Sequence, residues 1–380
     1  MNMDSYRERD LSLTRREFLG RVAMGVGATV LCLPTKAGFT QHDQQAAYHV
    51  ESALTKRVRA TLTARVTYVA ANPAGLQWSI FGPYAPELDR QSGTESSLKV
   101  VEFPDARVSL VSDQSPLKRP FLQIKTTQGD PRFAQGITVT AKHEATLFAR
   151  KLVRGVPRVR LSPLSTEERQ AYLASTASVD HATKSFQQWL DENSLRRKPQ
   201  ESDLFFAFRA FKCVRETVRP TGGEGSDVRA STICRLKGSG CGQIAILFCA
   251  ILRANGIPAR SLWGRWAQTA TEPSQFFMWH VKAEFYTEGI GWVPVDPGAG
   301  GAKTFAPLVF FGVDGGDFIT FHVDPDLVLD SGLFGSKSLV GVQGVLPWWM
   351  GGGRLDNWKI SDEWVVENLP LRAPAEGAGR

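Results

Sequence analysis

The sequence has little cysteine: five residues in 380. That is too few to brace a disulfide scaffold, so each thiol can be asked singly what it is for. No stretch reaches about 18 consecutive apolar residues, so nothing in the chain past its first forty residues reads as a membrane-spanning helix. Charge of one sign is also scarce. Lys and Arg number 45 against 38 Asp and Glu, a net +7 without basic runs; a nucleic-acid partner is not indicated. No phosphate loop or dinucleotide fingerprint occurs. The six histidines are His42, His49, His143, His181, His280 and His322. None pairs with Cys or acid at zinc spacing, and Cys234 to Cys241 is too wide for a Cys-x-x-Cys site. Asp314, Asp317, Asp324, Asp326 and Asp330 are dense but do not fit an EF-hand loop; they read as turn and surface residues. No cofactor and no metal is expected. With 42% hydrophobic and 22% charged residues, what remains is an ordinary globular chain, long enough for two domains.

What is present begins at the N-terminus. Thr14-Arg15-Arg16-Glu17-Phe18-Leu19 looks like a twin-arginine export signal, and the moderately apolar stretch Val22 to Pro34 has the length of a signal h-region. Residues 1–37 read as that signal, with Cys32 lost along with it. They hold six basic and four acidic residues, so the rest carries 39 against 34, or +5. The expectation is a periplasmic or extracellular protein.

From about residue 50 to 155 the apolar period is two. Leu62, Ala64, Val66 and Tyr68 alternate with polar residues, as do Val108 and Leu110, and Ile137, Val139 and Ala141. Such alternation suits strands with one buried face, and short strands broken by turn clusters predict a β-sandwich-like N-terminal domain. The period then changes. Ser165-Thr166-Glu167-Glu168 is a capping box. Phe186, Trp189 and Leu190, then Leu204, Phe208 and Phe211, fall at helical spacing. Residues 160–220 read as a helical connection.

Gly238-Ser239-Gly240-Cys241-Gly242-Gln243 leads into an apolar helix with Ile244, Leu247, Phe248 and Ile251 on one stripe, stopped by Gly256 and Pro258. A thiol at a helix N-terminus meets unpaired N–H groups and the positive end of the dipole, which favour the nucleophilic thiolate. Cys249, deeper in the helix, reads as a small core residue. Cys213 and Cys234 stay open between a disulfide and two free thiols.

A nucleophilic Cys needs an imidazole, and the imidazole an orienting group. The runs Phe276–Tyr286 and Trp292–Pro297, around Thr287-Glu288-Gly289-Ile290-Gly291, read as a hairpin. Centring it on residue 288 pairs 281 with 295 and 283 with 293 on an apolar face. It sets His280 directly opposite Asp296 on the other face, within reach of a hydrogen bond. Trp348 and Trp349 read as packing residues rather than a substrate platform.

Together, Gly238-Ser239-Gly240-Cys241, the helix end Leu252-Arg253-Ala254-Asn255-Gly256-Ile257-Pro258-Ala259-Arg260, the His280 strand and Gly291-Trp292-Val293-Pro294-Val295-Asp296-Pro297 resemble the core of the transglutaminase-like superfamily. The resemblance is strong over about 225–300. It implies an α+β fold: a papain-like core over 221–335, preceded by the β-domain and followed by a C-terminal extension over 336–380. It maps Cys241 to the nucleophile, His280 to the general base and acid, and Asp296 to the group that orients the histidine. The expected activity is thiol acyl transfer on a protein or peptide amide substrate, by hydrolysis. Glutamine cross-linking and a non-catalytic peptide- or surface-polymer-binding module are the alternatives. One departure is Lys282, two positions after the histidine, where members often carry an aromatic residue.

Overall fold

The computed structural model describes residues 47–126, 135–156, 161–221, 227–269, 279–299 and 307–371. The twin-arginine segment and Cys32 lie outside these residues. The described residues fall within one compact unit, Phe39–Arg380.

Two sheets form the N-terminal layer. The first is built on β1 (Tyr48–Ala70), which is hydrogen-bonded along one edge to β6 (Gly136–Arg154) and along the other to β17 (Leu355–Leu369). β3 (Gln91–Val100) and the short β12 (Val313–Asp314) add to β6. The second sheet runs β16 (Leu346–Met350), β2 (Gln77–Pro83), β5 (Pro120–Thr126), β4 (Val108–Ser112). Alternation dictates which face is covered. Leu62, Val66 and Tyr68 of β1 and Ile137, Val139 and Ala141 of β6 pack against Trp78, Ile80, Leu122 and Ile124 of the second sheet. The sandwich-like arrangement expected from the periodicity is therefore present.

Two details differ from expectation. Val108 and Leu110 are 39% and 62% exposed, so they do not line a buried face. β4 pairs with β5 at the sheet edge, and it is Val111, on its other face, that packs against the core. The final segment does not stand apart either: β16 and β17 complete the two N-terminal sheets. Trp348 meets Phe81 edge-on at 5.3 Å, and Trp349 stacks on Trp358 at 4.3 Å, so both tryptophans pack.

The rest is α+β. The capping box starts α1 (Thr166–Ala171), where the Ser165 Oγ accepts from the Glu168 N–H and Glu168 accepts from the Ser165 N–H. α2 (Lys184–Glu192) buries Phe186, Trp189 and Leu190, and α3 (Asp203–Thr217) buries Leu204, Phe208 and Phe211. The one-turn α4 (Ala230–Ile233) follows β7 (Arg219–Pro220), which pairs in parallel with β8 (Gly238–Ser239). α5 (Cys241–Arg253) then runs through the middle. Every residue from Gly242 to Arg253 is buried, and Cys241 alone in the helix is not. A helix apolar all round belongs inside a core, and α2 and α3 supply the outer layer.

On its other side α5 packs on a four-stranded antiparallel sheet of order β11 (Gly291–Val295), β10 (Trp279–Thr287), β9 (Ala259–Trp266), β13 (Phe318–Val323). Val281, Ala283 and Phe285 of β10 join the helix core. His280, Lys282 and Glu284 alternate onto the opposite face, where Glu284 pairs with Arg150 of β6 and with Arg260. A small hairpin, β14 (Leu327–Asp330) with β15 (Ser336–Leu339), closes the layer.

The aspartates expected as surface residues are only partly so. Asp314 and Asp324 are buried. Asp314 takes Lys282 and Arg90; Asp324 takes Arg253 and the Ser261 N–H. Buried carboxylates are stable only with such partners. Cys213 and Cys234 are free thiols, as is Cys249, which is wholly buried.

Candidate active site

Cys241 is the first residue of α5, and Gly240 is its cap in extended conformation. Gln243 fixes the turn. Its Oε1 accepts from the Gly240 N–H at 3.2 Å and from the Ser239 hydroxyl, while its Nε2 donates to the Asp227 carbonyl at 2.9 Å. This replaces the missing side-chain cap. Gly242 lets the helix sit on the sheet: a Cβ there would lie 3.1 Å from the Trp263 ring.

His280 stands near the start of β10, and Asp296 follows the last residue of β11. The His280 Nε2–H donates to Asp296, with 2.8 Å to Oδ2 and 3.0 Å to Oδ1. The Cys241 side chain lies beside the same ring and helps to raise its pKa. With Nε2 on the carboxylate, Nδ1 is the nitrogen left for the sulfur. The structure thus brings together all three residues singled out in the sequence.

The route to that meeting differs from the expected hairpin. The register pairs Ala283 with Val295, Phe285 with Val293 and Thr287 with Gly291, so the turn centres on Gly289 rather than Glu288. Gly289 and Gly291 have φ of +78° and +86°, the left-handed region a glycine enters without strain. His280 and Asp296 are therefore not directly opposite. They reach each other diagonally, past the last paired residue of β11. A shift of two residues keeps every side chain on its face, so the meeting survives.

The Asp296-Pro297-Gly298 loop is held tightly. The Asp296 N–H donates to the Phe310 carbonyl at 2.8 Å, and the Gly312 N–H donates to the Pro294 carbonyl at 2.8 Å. Arg215 of α3 lies over Phe310 and Phe211 and donates to the Ala299 carbonyl. A Cβ on Gly298 would fall 3.0 Å from both Cα and Cβ of Cys241. Only glycine lets the loop close on the thiol's backbone; nothing in the local sequence pattern announces this role.

The electrostatics follow from burial and charge. Burial alone would lower the His280 pKa, but the Asp296 charge and hydrogen bond outweigh it and, with Cys241, push it up to about 10. The imidazole is thus held as a cation at neutral pH. Burial pushes the Cys234 thiol up to about 11 and the Cys249 thiol higher still, so both are poor nucleophiles. Trp266 stacks on the His280 ring at 5.1 Å and 18°, and Phe318 meets it edge-on at 6.3 Å. Lys282, the departure noted in the sequence, is buried and bonds Asp314 at 2.9 Å. Among the described residues no cluster of three or more His, Cys, Asp or Glu side chains is arranged to hold a metal ion, and no helix is long and apolar enough to cross a membrane.

Residues 194–297 match the family model of the transglutaminase-like superfamily. No curated protein matches the chain. Among solved structures, a candidate cysteine protease from Cytophaga hutchinsonii is similar over 85% of this chain and 95% of its own, at 15% identity and a TM-score of 0.50. The periplasmic domain of TgpA from Pseudomonas aeruginosa aligns over 62% of this chain and 87% of its own, at 14% identity and a TM-score of 0.32. The sequence match spans α3, α5 and the His280–Asp296 hairpin, and the fold is shared across both layers. Residues 194–297 thus form a transglutaminase-like domain, set in an α+β core that is preceded by a β-rich layer.

Proposed function

We propose that the protein is a thiol acyl-transfer enzyme that hydrolyses protein or peptide amides, with Cys241, His280 and Asp296 as its catalytic triad. The observation that carries the reading is Cys241 beside the His280–Asp296 pair, at the start of a helix whose other residues are all buried. Cys241 is the position at which α5 meets solvent, and a cationic imidazole beside a sulfur stabilises its thiolate form.

In this scheme the Cys241 sulfur attacks the amide carbonyl and forms the C–S bond. The negative charge moves to the carbonyl oxygen. The Cys241 backbone N–H, one of the first N–H groups of α5 and without an intrahelical acceptor, is the donor available to it. His280 then passes its proton to the departing nitrogen as the C–N bond breaks, leaving a thioester. Water, deprotonated by the now neutral His280, cleaves the thioester and frees the acid. Asp296 keeps the imidazole in one tautomer and supports its charge. We further propose export through the twin-arginine signal at residues 1–37, which puts the substrate outside the cytoplasm.

A peptide-library digest with and without a primary amine tests the reading. Wild type should release new N-termini, and Cys241→Ala should release none. Amine incorporation in place of hydrolysis would make the protein a cross-linking transferase. Full activity in Cys241→Ala, or binding of peptides without turnover, would refute the proposal.

A further inference from the structure

The even-numbered face of β10 carries a charge that the chemistry above does not use. Lys282 lies two residues from His280, on the same side of the strand, and is 4% exposed. Its Nζ bonds Asp314 of β12 at 2.9 Å and lies 3.8 Å from Asp317. Asp314 is shared with Arg90, from the segment between β2 and β3. The same Nζ sits 4.5 Å from the centroid of the Trp266 ring and 4.9 Å from that of Phe318. Those two rings meet edge-on at 5.6 Å and both face the imidazole of His280. One indole is therefore stacked on the imidazole and gripped by a desolvated ammonium. Opposite His280 in β9 is Gly264, which has no side chain to hold the ring. Trp266 fills that role.

We propose that Lys282 is a positioning residue: anchored by Asp314, it pins the Trp266 ring, and the ring fixes the plane of the His280 imidazole. This rests on the triad reading above. A cation over an indole is attractive, and more so out of water. Asp296 holds one ring nitrogen of His280 and Cys241 lies beside the ring, which leaves rotation of the ring plane as the freedom a stack removes. The charged groups facing this site are Asp296 and Cys241 on the imidazole itself, Arg215 of α3 near Asp296, Lys282 on the same strand, and Asp314, Asp317 and Arg90 around Lys282.

Charge and position predict opposite results, so they can be told apart. Removing a cation beside an imidazolium raises its pKa. Loosening the ring weakens its bond to Asp296 and lowers it. The test uses the full chain and two readouts: titration of the His280 ring by NMR, which needs no activity, and kcat and KM on an amide substrate. In Lys282→Met the titration should move down by about one pH unit, and kcat should fall about tenfold with KM within about twofold. Lys282→Arg keeps a cation and should restore most of both. Trp266→Leu should show the same loss, and adding Lys282→Met to it should change kcat by less than about twofold, because the two act as one unit. An unchanged or upward titration in a folded Lys282→Met overturns the proposal, as do losses that multiply in the double variant. If Lys282→Met does not fold, Trp266→Leu decides: no downward titration overturns the proposal. Wild type without turnover, but with the titration moving as stated, refutes the enzyme reading and leaves the positioning role standing.

Discussion

Asp296→Asn is the perturbation that isolates what the carboxylate does. The substitution keeps the shape and one oxygen acceptor but removes the charge. In the folded protein that charge lifts His280 from the ordinary 6.5 to about 10 against the pull of burial. Without it only Cys241 opposes burial, and the imidazole falls well below 10, back toward its ordinary 6.5. At pH 8 wild type keeps about 99% of the ring protonated, and a variant back at the ordinary 6.5 about 3%. Protonation alone therefore costs about 30-fold in proton delivery to the leaving nitrogen. Loss of the fixed tautomer should bring the fall in kcat to about 10³-fold. Stability carries the same signature. A histidine whose folded pKa is raised contributes stability that is fully present below about 6.5 and is lost as pH rises through about 10. Between pH 7 and 10.5 wild type should lose most of a contribution of about 4 kcal/mol, and the variant should lack that slope. The assays are a pH–rate profile, NMR titration of the ring and denaturant unfolding at several pH values. A ring that still titrates near 10 in Asp296→Asn, or a basic limb that does not move, would refute the reasoning.

Other expectations are simpler to state. Iodoacetamide at pH 6 should modify Cys241 far faster than Cys213, Cys234 or Cys249, whose thiols burial pushes up; mass spectrometry showing equal slow labelling would remove Cys241 from its role. Gly298→Ala should push the Asp296 loop off Cys241 by a few tenths of an ångström and lower kcat about tenfold, with far-UV circular dichroism unchanged; full activity would show that the close approach is dispensable. Phe248→Ala, in the middle of α5 and fully buried, should cost about 3–5 kcal/mol in urea unfolding, whereas Leu110→Lys on the open edge of β4 should stay within about 0.5 kcal/mol.

What could be read from the sequence follows how far each feature reaches along the chain. The α5 stripe, the Ser165 capping box and the alternation of β1 and β6 are local periodicities, and the structure carries them as read. The meeting of His280 with Asp296 was legible although the register was not. Face depends on parity, and an error of two residues conserves parity; the true centre depends on which glycine takes the left-handed turn, and both Gly289 and Gly291 do. The return of β16 and β17 to the N-terminal sheets had no local signal, because their partners lie near residues 80 and 60. Val108 and Leu110 alternate like a buried strand, but alternation records a face and not whether anything covers it.

Lys282 and Asp314 show the same limit at the site. In sequence one is a departure from an aromatic position and the other a turn aspartate in an acidic stretch. They become a pair only because β12 pairs with β6 of the N-terminal sheet, while the opposite face of β10 is turned away from α5. The helix side of β10 is sealed by Val281, Ala283 and Phe285, and the other side by ion pairs of Glu284 with Arg150 and Arg260 and of Lys282 with Asp314, which Arg90 shares. Buried pairs of this kind add little net stability, but they cost heavily when one partner is removed. The strand that carries His280 is therefore fixed by packing on one face and by charge matching on the other. Single charge removals at Arg150 or Asp314 should disturb His280 more than apolar trimming of similar size on the outer sandwich, for example at Ile124.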